Sequence, residues 1–189
     1  MKKSDEVFVD ALKEATRKAF IDLFNEHSDE HFYYCTLVLI EGEGCPAISA
    51  MSDEALNTVV QKYKKEYMDD TPEDDLRKEL KWSYADSPYC IYGEQYFAAV
   101  QEMTEQRDMD ETDENYMQEY EFRMNSMEKV MADLDKEGIF GSGKKRKYMV
   151  VAAEVMPPEY ANTERVLRLN SKENLKEWLE EAAEMEDDF

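Results

Sequence analysis

The sequence predicts a single α+β domain over residues 1–189, with a small central antiparallel or mixed sheet of about three to five strands flanked by about five or six helices. Two observations lead to this prediction. Three runs rich in β-branched, aromatic and apolar residues indicate strands, at 31–40, 45–51 and 148–155. Around them, apolar residues recur at the helical spacing of three and four.

The run from His31 to Ile40 is the predicted central strand. It is apolar nearly throughout instead of alternating, which is typical of a strand buried on both faces. A short Gly-containing segment closes it, and the run at 45–51 follows at once, so these two runs are expected to form an antiparallel hairpin. The run from Tyr148 to Val155 is a further candidate neighbour of the central strand.

Start signals and apolar periodicity place the helices. Helices are expected at 4–26, from 52, from 72, after Gly93, at about 112–136 and from 171. Residues 184–189 are expected to form an acidic frayed tail.

The predicted helix at 112–136 has a narrow apolar seam that is rich in methionine, at Met117, Met124, Met127 and Met131. Methionine fills irregular gaps in cores, but it also lines adaptable binding surfaces. Core packing is the favoured interpretation, and an interface is the alternative that the sequence leaves open.

The charge balance restricts the possible partners. The chain has 45 acidic and 23 basic residues, a net charge of −22. Such a chain repels phosphate groups, which disfavours binding to nucleic acid or to an anionic membrane. The acidic surface either keeps the protein soluble or attracts a basic protein partner. The oligomeric state is left open.

A cytoplasmic location is expected from two features. No apolar run approaches the length of a transmembrane helix. Three cysteines, Cys35, Cys45 and Cys90, form neither a C-x-x-C pair nor an even set, which favours free thiols in a reducing compartment.

Two sequence patterns suggest chemistry but occur in the wrong context. Residues 138–145 match G-x-x-x-x-G-K, yet a phosphate loop needs a preceding strand, a following helix and a hydroxyl residue where Lys145 stands. Residues 27–31 match H-x-x-E-H, which binds zinc when both histidines lie on one face of a helix. This segment instead joins a helix to a strand. We therefore expect no catalytic residue, no cofactor and no metal.

The remaining candidate is an aromatic and turn-rich corner that includes Trp82, Ser83, Asp86, Tyr89 and Glu94. Loops of this kind can carry function on a rigid scaffold. The competing and favoured interpretation is structural, with the aromatic residues filling the core and Asp86 capping the turn.

Three blocks of the chain carry a family resemblance. They are 31–39, then 81–89 with Gly93-Glu94, and finally 139–141 with 148–155, Pro157-Pro158 and Leu169-Asn170. The most specific is Trp82-Ser83-Tyr84-Ala85-Asp86. In these blocks the chain resembles the bacterial domain of unknown function 4303 family. The resemblance implies a cytoplasmic bacterial α+β protein and no established reaction.

The favoured function is a non-enzymatic protein-interaction module, of the kind represented by immunity proteins that neutralise toxins. The negative charge and the lack of a catalytic constellation motivate this hypothesis. The alternative is a small enzyme or ligand-binding domain with its site around Trp82–Glu94.

Overall fold

The structure, a computed structural model, has a three-stranded mixed sheet at its centre. It describes residues 3–40, 44–66, 70–107 and 115–186. The strands are β1 (Phe32–Ile40), β2 (Ala47–Ser52) and β3 (Val150–Met156), in the order β2-β1-β3. The predicted α+β class is confirmed.

β1 is the central strand, as predicted. It pairs antiparallel with β2, where Leu37 lies opposite Ile48, and parallel with β3, where Leu37 lies opposite Ala153. Every residue of β1 except Ile40 is buried. Burial on both faces explains why its sequence does not alternate between apolar and polar residues.

Eight α-helices surround the sheet within the described residues. They are α1 (Lys3–Glu26), α2 (Asp53–Glu66), α3 (Glu73–Lys81), α4 (Ala98–Glu105), α5 (Tyr116–Lys136), α6 (Gly143–Tyr148), α7 (Tyr160–Leu169) and α8 (Lys176–Glu181). Short 3-10 turns precede α4 and α8, at Glu94–Phe97 and Lys172–Asn174. None of the helices in these ranges is long and apolar enough to cross a bilayer.

Two helices, α6 and α7, occupy segments where the sequence predicts none. In α6, Arg146 donates hydrogen bonds to Asp135 at 2.6 Å and to the carbonyl of Leu169 at 3.0 Å. These bonds hold the segment as a helical turn, and the third strand therefore begins at Val150 instead of Tyr148.

α7 has no apolar stripe because its inner face is largely polar. Asn162, Thr163 and Arg165 are buried there together with Val166 and Leu169. The helix packs against β3, which is an edge strand with backbone groups that need partners. Polar side chains supply those partners, so helical periodicity of apolar residues is weak.

The methionine seam of α5 mostly belongs to the core. Met124, Met127 and Met131 are buried, whereas Met117 is 58% exposed. α5 packs against α1 and β3.

The predicted acidic tail lies only partly within the described residues. Residues 182–186 follow α8 without forming a helix, and 187–189 lie outside the described residues.

Two neighbouring residues of β1 provide a test of its central position. Leu39 is fully buried, whereas Ile40 is 37% exposed. We expect Leu39→Ala to lower the free energy of unfolding by about 2–5 kcal/mol, because it leaves a cavity in the core. Ile40→Ala is expected to cost less than half as much. Urea denaturation followed by circular dichroism measures both, and equal losses would contradict the central placement of β1.

Candidate functional site

Asp86, in the corner that follows α3, is held by two hydroxyl groups. Ser83 donates to its Oδ2 at 2.5 Å, and Tyr63 of α2 donates to its Oδ1. The backbone N–H of Asp86 in turn donates to Ser83 Oγ at 3.2 Å. Both carboxylate oxygens are therefore engaged, since Oδ2 closes the turn and Oδ1 ties the turn to α2.

Tyr89 lies in a second network, beyond the turn. Its hydroxyl donates to Glu30 Oε1 at 2.5 Å and lies 3.2 Å from His27 Nδ1. Ser52 donates to the other oxygen of Glu30. Burial, followed by the hydrogen bond to Glu30, raises the pKa of Tyr89 above its ordinary value. The phenol is thus a neutral donor that fixes the start of β1.

The two histidines of the H-x-x-E-H pattern have different partners. His27 Nδ1 lies 3.1 Å from Glu30, whereas His31 Nδ1 lies 2.8 Å from Glu54 of α2. The hydrogen bond to Glu54 raises the pKa of His31. Across the described ranges, no group of three or more His, Cys, Asp or Glu side chains has a geometry that could hold a metal ion.

Trp82 and Glu94 lie apart from these networks. The indole N–H of Trp82 donates to Glu181 of α8 at 2.8 Å, and its ring meets Tyr33 and Tyr34 edge-on at 5.4 and 5.9 Å. Glu94 is exposed at the start of a 3-10 turn. The five predicted corner residues therefore do not converge on one centre.

Trp82 borders a cavity of about 690 Å³ between α3 and the C-terminal helical segment. Its wall carries charged side chains of both signs, and some of them pair with each other. Lys81 contacts Glu177 and lies 3.2 Å from Glu181. The cavity is thus electrostatically mixed.

Trp82 also borders a smaller cavity of about 140 Å³. A carboxyl group that the sequence analysis did not single out lies in its wall. Glu154 of β3 lines this cavity and is only 5% exposed. Its Oε2 accepts hydrogen bonds from Thr36, at 2.6 Å, and from Tyr34. Its Oε1 has no hydrogen-bond partner among the described residues. Burial raises the pKa of this carboxyl group.

The other polar groups beside Glu154 are used by the fold. Asn162 lines the cavity, but its amide bonds both backbone groups of Val155 at 2.9 Å. Arg165 donates to the carbonyl of Ala153 at 2.9 Å and to Asn162 at 2.6 Å. Neither side chain bonds the carboxyl of Glu154 in the printed geometry, so Glu154 Oε1 is left for an occupant of the cavity.

Sequence reasoning missed Glu154. A signal was present, because it is the one acidic residue in the otherwise apolar run Val150–Met156. Burying a carboxyl in such a strand costs free energy, so an acid at this position indicates a specific role.

The model of a family described as Domain of unknown function (DUF4303) matches residues 12–171. The chain belongs to this family. No curated protein and no solved structure matches it. In this DUF4303 chain the matched range includes the corner and Glu154, whereas α8 and Trp178 lie beyond it.

The hydrogen bonds of Asp86 predict a structural role that mutation can measure. Asp86→Ala leaves the hydroxyls of Ser83 and Tyr63 without this acceptor, so we expect a loss of about 1–3 kcal/mol in the free energy of unfolding. Glu94→Ala, at an exposed position, is the control, with an expected change within about 0.5 kcal/mol. Urea titrations give both values. A loss no larger than that of the control would refute the structural role.

Glu154 predicts the opposite effect on stability. Because burial raises its pKa above the ordinary 4.5, the folded protein binds this proton more tightly than the unfolded chain does. The stability contributed by the carboxyl therefore declines as pH rises above that value. The Gln side chain of Glu154→Gln can still accept hydrogen bonds from Thr36 and Tyr34. We expect this variant to be more stable than the parent at pH 8, and we expect its advantage over the parent to be smaller at pH 5. Urea unfolding at both pH values measures this, with the exposed Glu180→Gln as control. A variant that is less stable at pH 8 would contradict the prediction.

Proposed function

We propose that this DUF4303 protein is a non-enzymatic interaction module that binds a basic protein partner, in the manner of an immunity protein that neutralises a toxin. The observation that carries the proposal is the net charge of −22. A charge of this size accelerates encounter with a positively charged surface and repels polyanions.

The distribution of acids supports the proposal. Along the C-terminal segment, Glu173, Glu177 and Glu181 border the larger cavity, and Glu184 borders the smaller one. The larger cavity also carries basic side chains and has no excess of acids, whereas the described lining of the smaller cavity has Glu154 and Glu184 and no basic side chain. Concave, partly aromatic sites of this kind supply the anchoring contacts of many interfaces.

The corner supports binding over catalysis. A general base must be free to accept a proton from a substrate. Both oxygens of Asp86 already accept hydrogen bonds from hydroxyl groups, and Tyr89 is a buried donor with a raised pKa. Neither group has the freedom that the enzymatic alternative requires.

A location in the bacterial cytoplasm is part of the same proposal. Cys35, Cys45 and Cys90 are all free thiols. Unpaired cysteines suit a reducing compartment, where disulfides seldom persist.

Capture from the native host tests the proposal. The immobilised protein is expected to retain a basic protein at about 0.05 M salt and to release it at about 0.5 M, because salt screens charge attraction. With the purified partner, the association rate is expected to fall by about tenfold or more over this range. Stopped-flow or surface plasmon resonance measures that rate.

A matched pair of variants provides the control. Glu173→Gln/Glu177→Gln/Glu181→Gln removes three charges beside the larger cavity and is expected to slow association markedly. Glu6→Gln/Asp10→Asn/Glu102→Gln removes three exposed charges on α1 and α4, away from both cavities, and is expected to slow it less. Retention of no specific protein, or an association rate that ignores salt, would refute the proposal.

A second candidate function is the binding of a small molecule beside Trp82. The volume of the larger cavity, about 690 Å³, favours it, since ligand sites commonly span about 300–1,000 Å³. Its mixed charges suit a zwitterionic ligand. Unlike the first proposal, this one requires no protein partner.

A further inference from the structure

We propose that the small cavity at Glu154 is a recognition pocket for a single organic cation, namely the ammonium or guanidinium group of a lysine or arginine side chain. The inference rests on the proposed function in one respect: the side chain would belong to the basic partner. The proposal assigns a specific anchoring site to an interaction that net charge alone would leave diffuse.

The charge of the lining is the first argument. Glu154 and Glu184 line the cavity, and none of its described lining residues is basic. Arg165, the nearest cation to influence Glu154, directs its guanidinium to Ala153, Asn162 and Glu159. The described wall of the cavity therefore carries two acidic residues and no cationic partner for them.

The unused oxygen of Glu154 is the second argument. Oε2 accepts from both Thr36 and Tyr34, and these bonds fix the orientation of the carboxyl group. Oε1 has no partner within the described part of the chain, and although Glu154 as a residue is only 5% exposed, this atom is not fully buried and is accessible from the cavity. A carboxylate that is largely removed from water is poorly solvated, so an oxygen that opens onto a small cavity gains free energy when it accepts a hydrogen bond. An N–H group of an entering cation would supply that bond.

The aromatic walls are the third argument. Trp82 and Trp178 both line the cavity. Indole is the aromatic group that attracts cations most strongly, and cages of aromatic rings with carboxylates recognise alkylated ammonium groups. The volume of about 140 Å³ is close to that of cavities of about 150 Å³ that admit a benzene-sized molecule. The end of one lysine or arginine side chain is no larger than this.

Protons compete with the cation for Glu154. The groups that face its carboxyl are Tyr34 and Thr36 of β1, Arg165 of α7 and Glu184 beyond α8. Since burial raises the pKa of Glu154, part of the cation's binding energy displaces a proton at low pH. Cation affinity therefore increases as pH rises through the pKa of Glu154.

Tryptophan fluorescence tests the pocket directly, because Trp82 and Trp178 are the two tryptophans of the chain and both line it. The full chain is titrated with n-butylammonium chloride or methylguanidinium chloride at constant ionic strength. We expect a saturable change in emission at pH 8, with a dissociation constant of about 1 mM, and weaker binding at pH 5. The uncharged analogue n-butanol is expected to bind at least tenfold more weakly.

Two variants control the titration. Glu154→Gln keeps the acceptor for Thr36 and Tyr34 but removes the charge, and we expect affinity for either cation to fall at least tenfold. Glu180→Gln, at an exposed position outside the cavity, is expected to bind as the parent does. Circular dichroism and urea unfolding verify that both variants fold. No saturable change in the parent, equal affinity in Glu154→Gln, or equal binding of n-butanol would each overturn the pocket.

The partner assay separates this inference from the proposed function. If the parent retains a basic partner and Glu154→Gln binds it at least tenfold more weakly, the pocket is its anchor. If Glu154→Gln binds the partner as tightly as the parent does, the inference is overturned while the proposed function stands. If the parent retains no partner, the proposed function fails, and the cation titration alone decides whether the pocket exists.

Discussion

The open edge of β3 is the constraint on which the C-terminal half of the fold depends. An edge strand presents backbone N–H and C=O groups that must find partners or attract another chain. Here three polar side chains supply those partners: Asn162 bonds both backbone groups of Val155, Asn170 bonds both of Val151, and Arg165 bonds the carbonyl between them. α7 therefore acts as a side-chain substitute for a fourth strand.

The pairing of these side chains with the edge of β3 also determines which groups are left in the small cavity. The amide of Asn162 and the guanidinium of Arg165 are committed to the edge of β3, and within the described residues neither forms a hydrogen bond or an ion pair with the carboxyl of Glu154. Among the described residues, the carboxyl is held instead by hydroxyl groups of Tyr34 and Thr36 in β1, which both donate to Oε2. Stability alone would favour an uncharged residue at this position, and sites that oppose stability in this way commonly serve function.

Trp82 connects the corner after α3 with the C-terminal segment. It bonds Glu181 of α8 through its indole N–H and borders both cavities. Ser83, Asp86 and Tyr89 meanwhile anchor the same corner to α2 and to the start of β1. The corner thus has a scaffold role along most of its length and contributes one aromatic ring to the lining of both cavities.

The sequence by itself determined the α+β class, the central strand, the hairpin with β2 and the core position of most of the α5 seam, because these depend on local periodicity and on turns between neighbours in the chain. It also singled out Trp82, which borders both cavities, but it grouped Trp82 with four other corner residues that the geometry separates from it. Only the tertiary structure decided the helix α7 and the pocket at Glu154. The inner face of α7 is polar because it pairs with a strand edge, so the sequence of α7 lacks the helical spacing of apolar residues that would predict a helix. The pocket is lined by residues from the corner, β3, α7 and α8. Which of the 45 acids is buried beside the two tryptophans therefore depends on contacts between segments far apart in the chain.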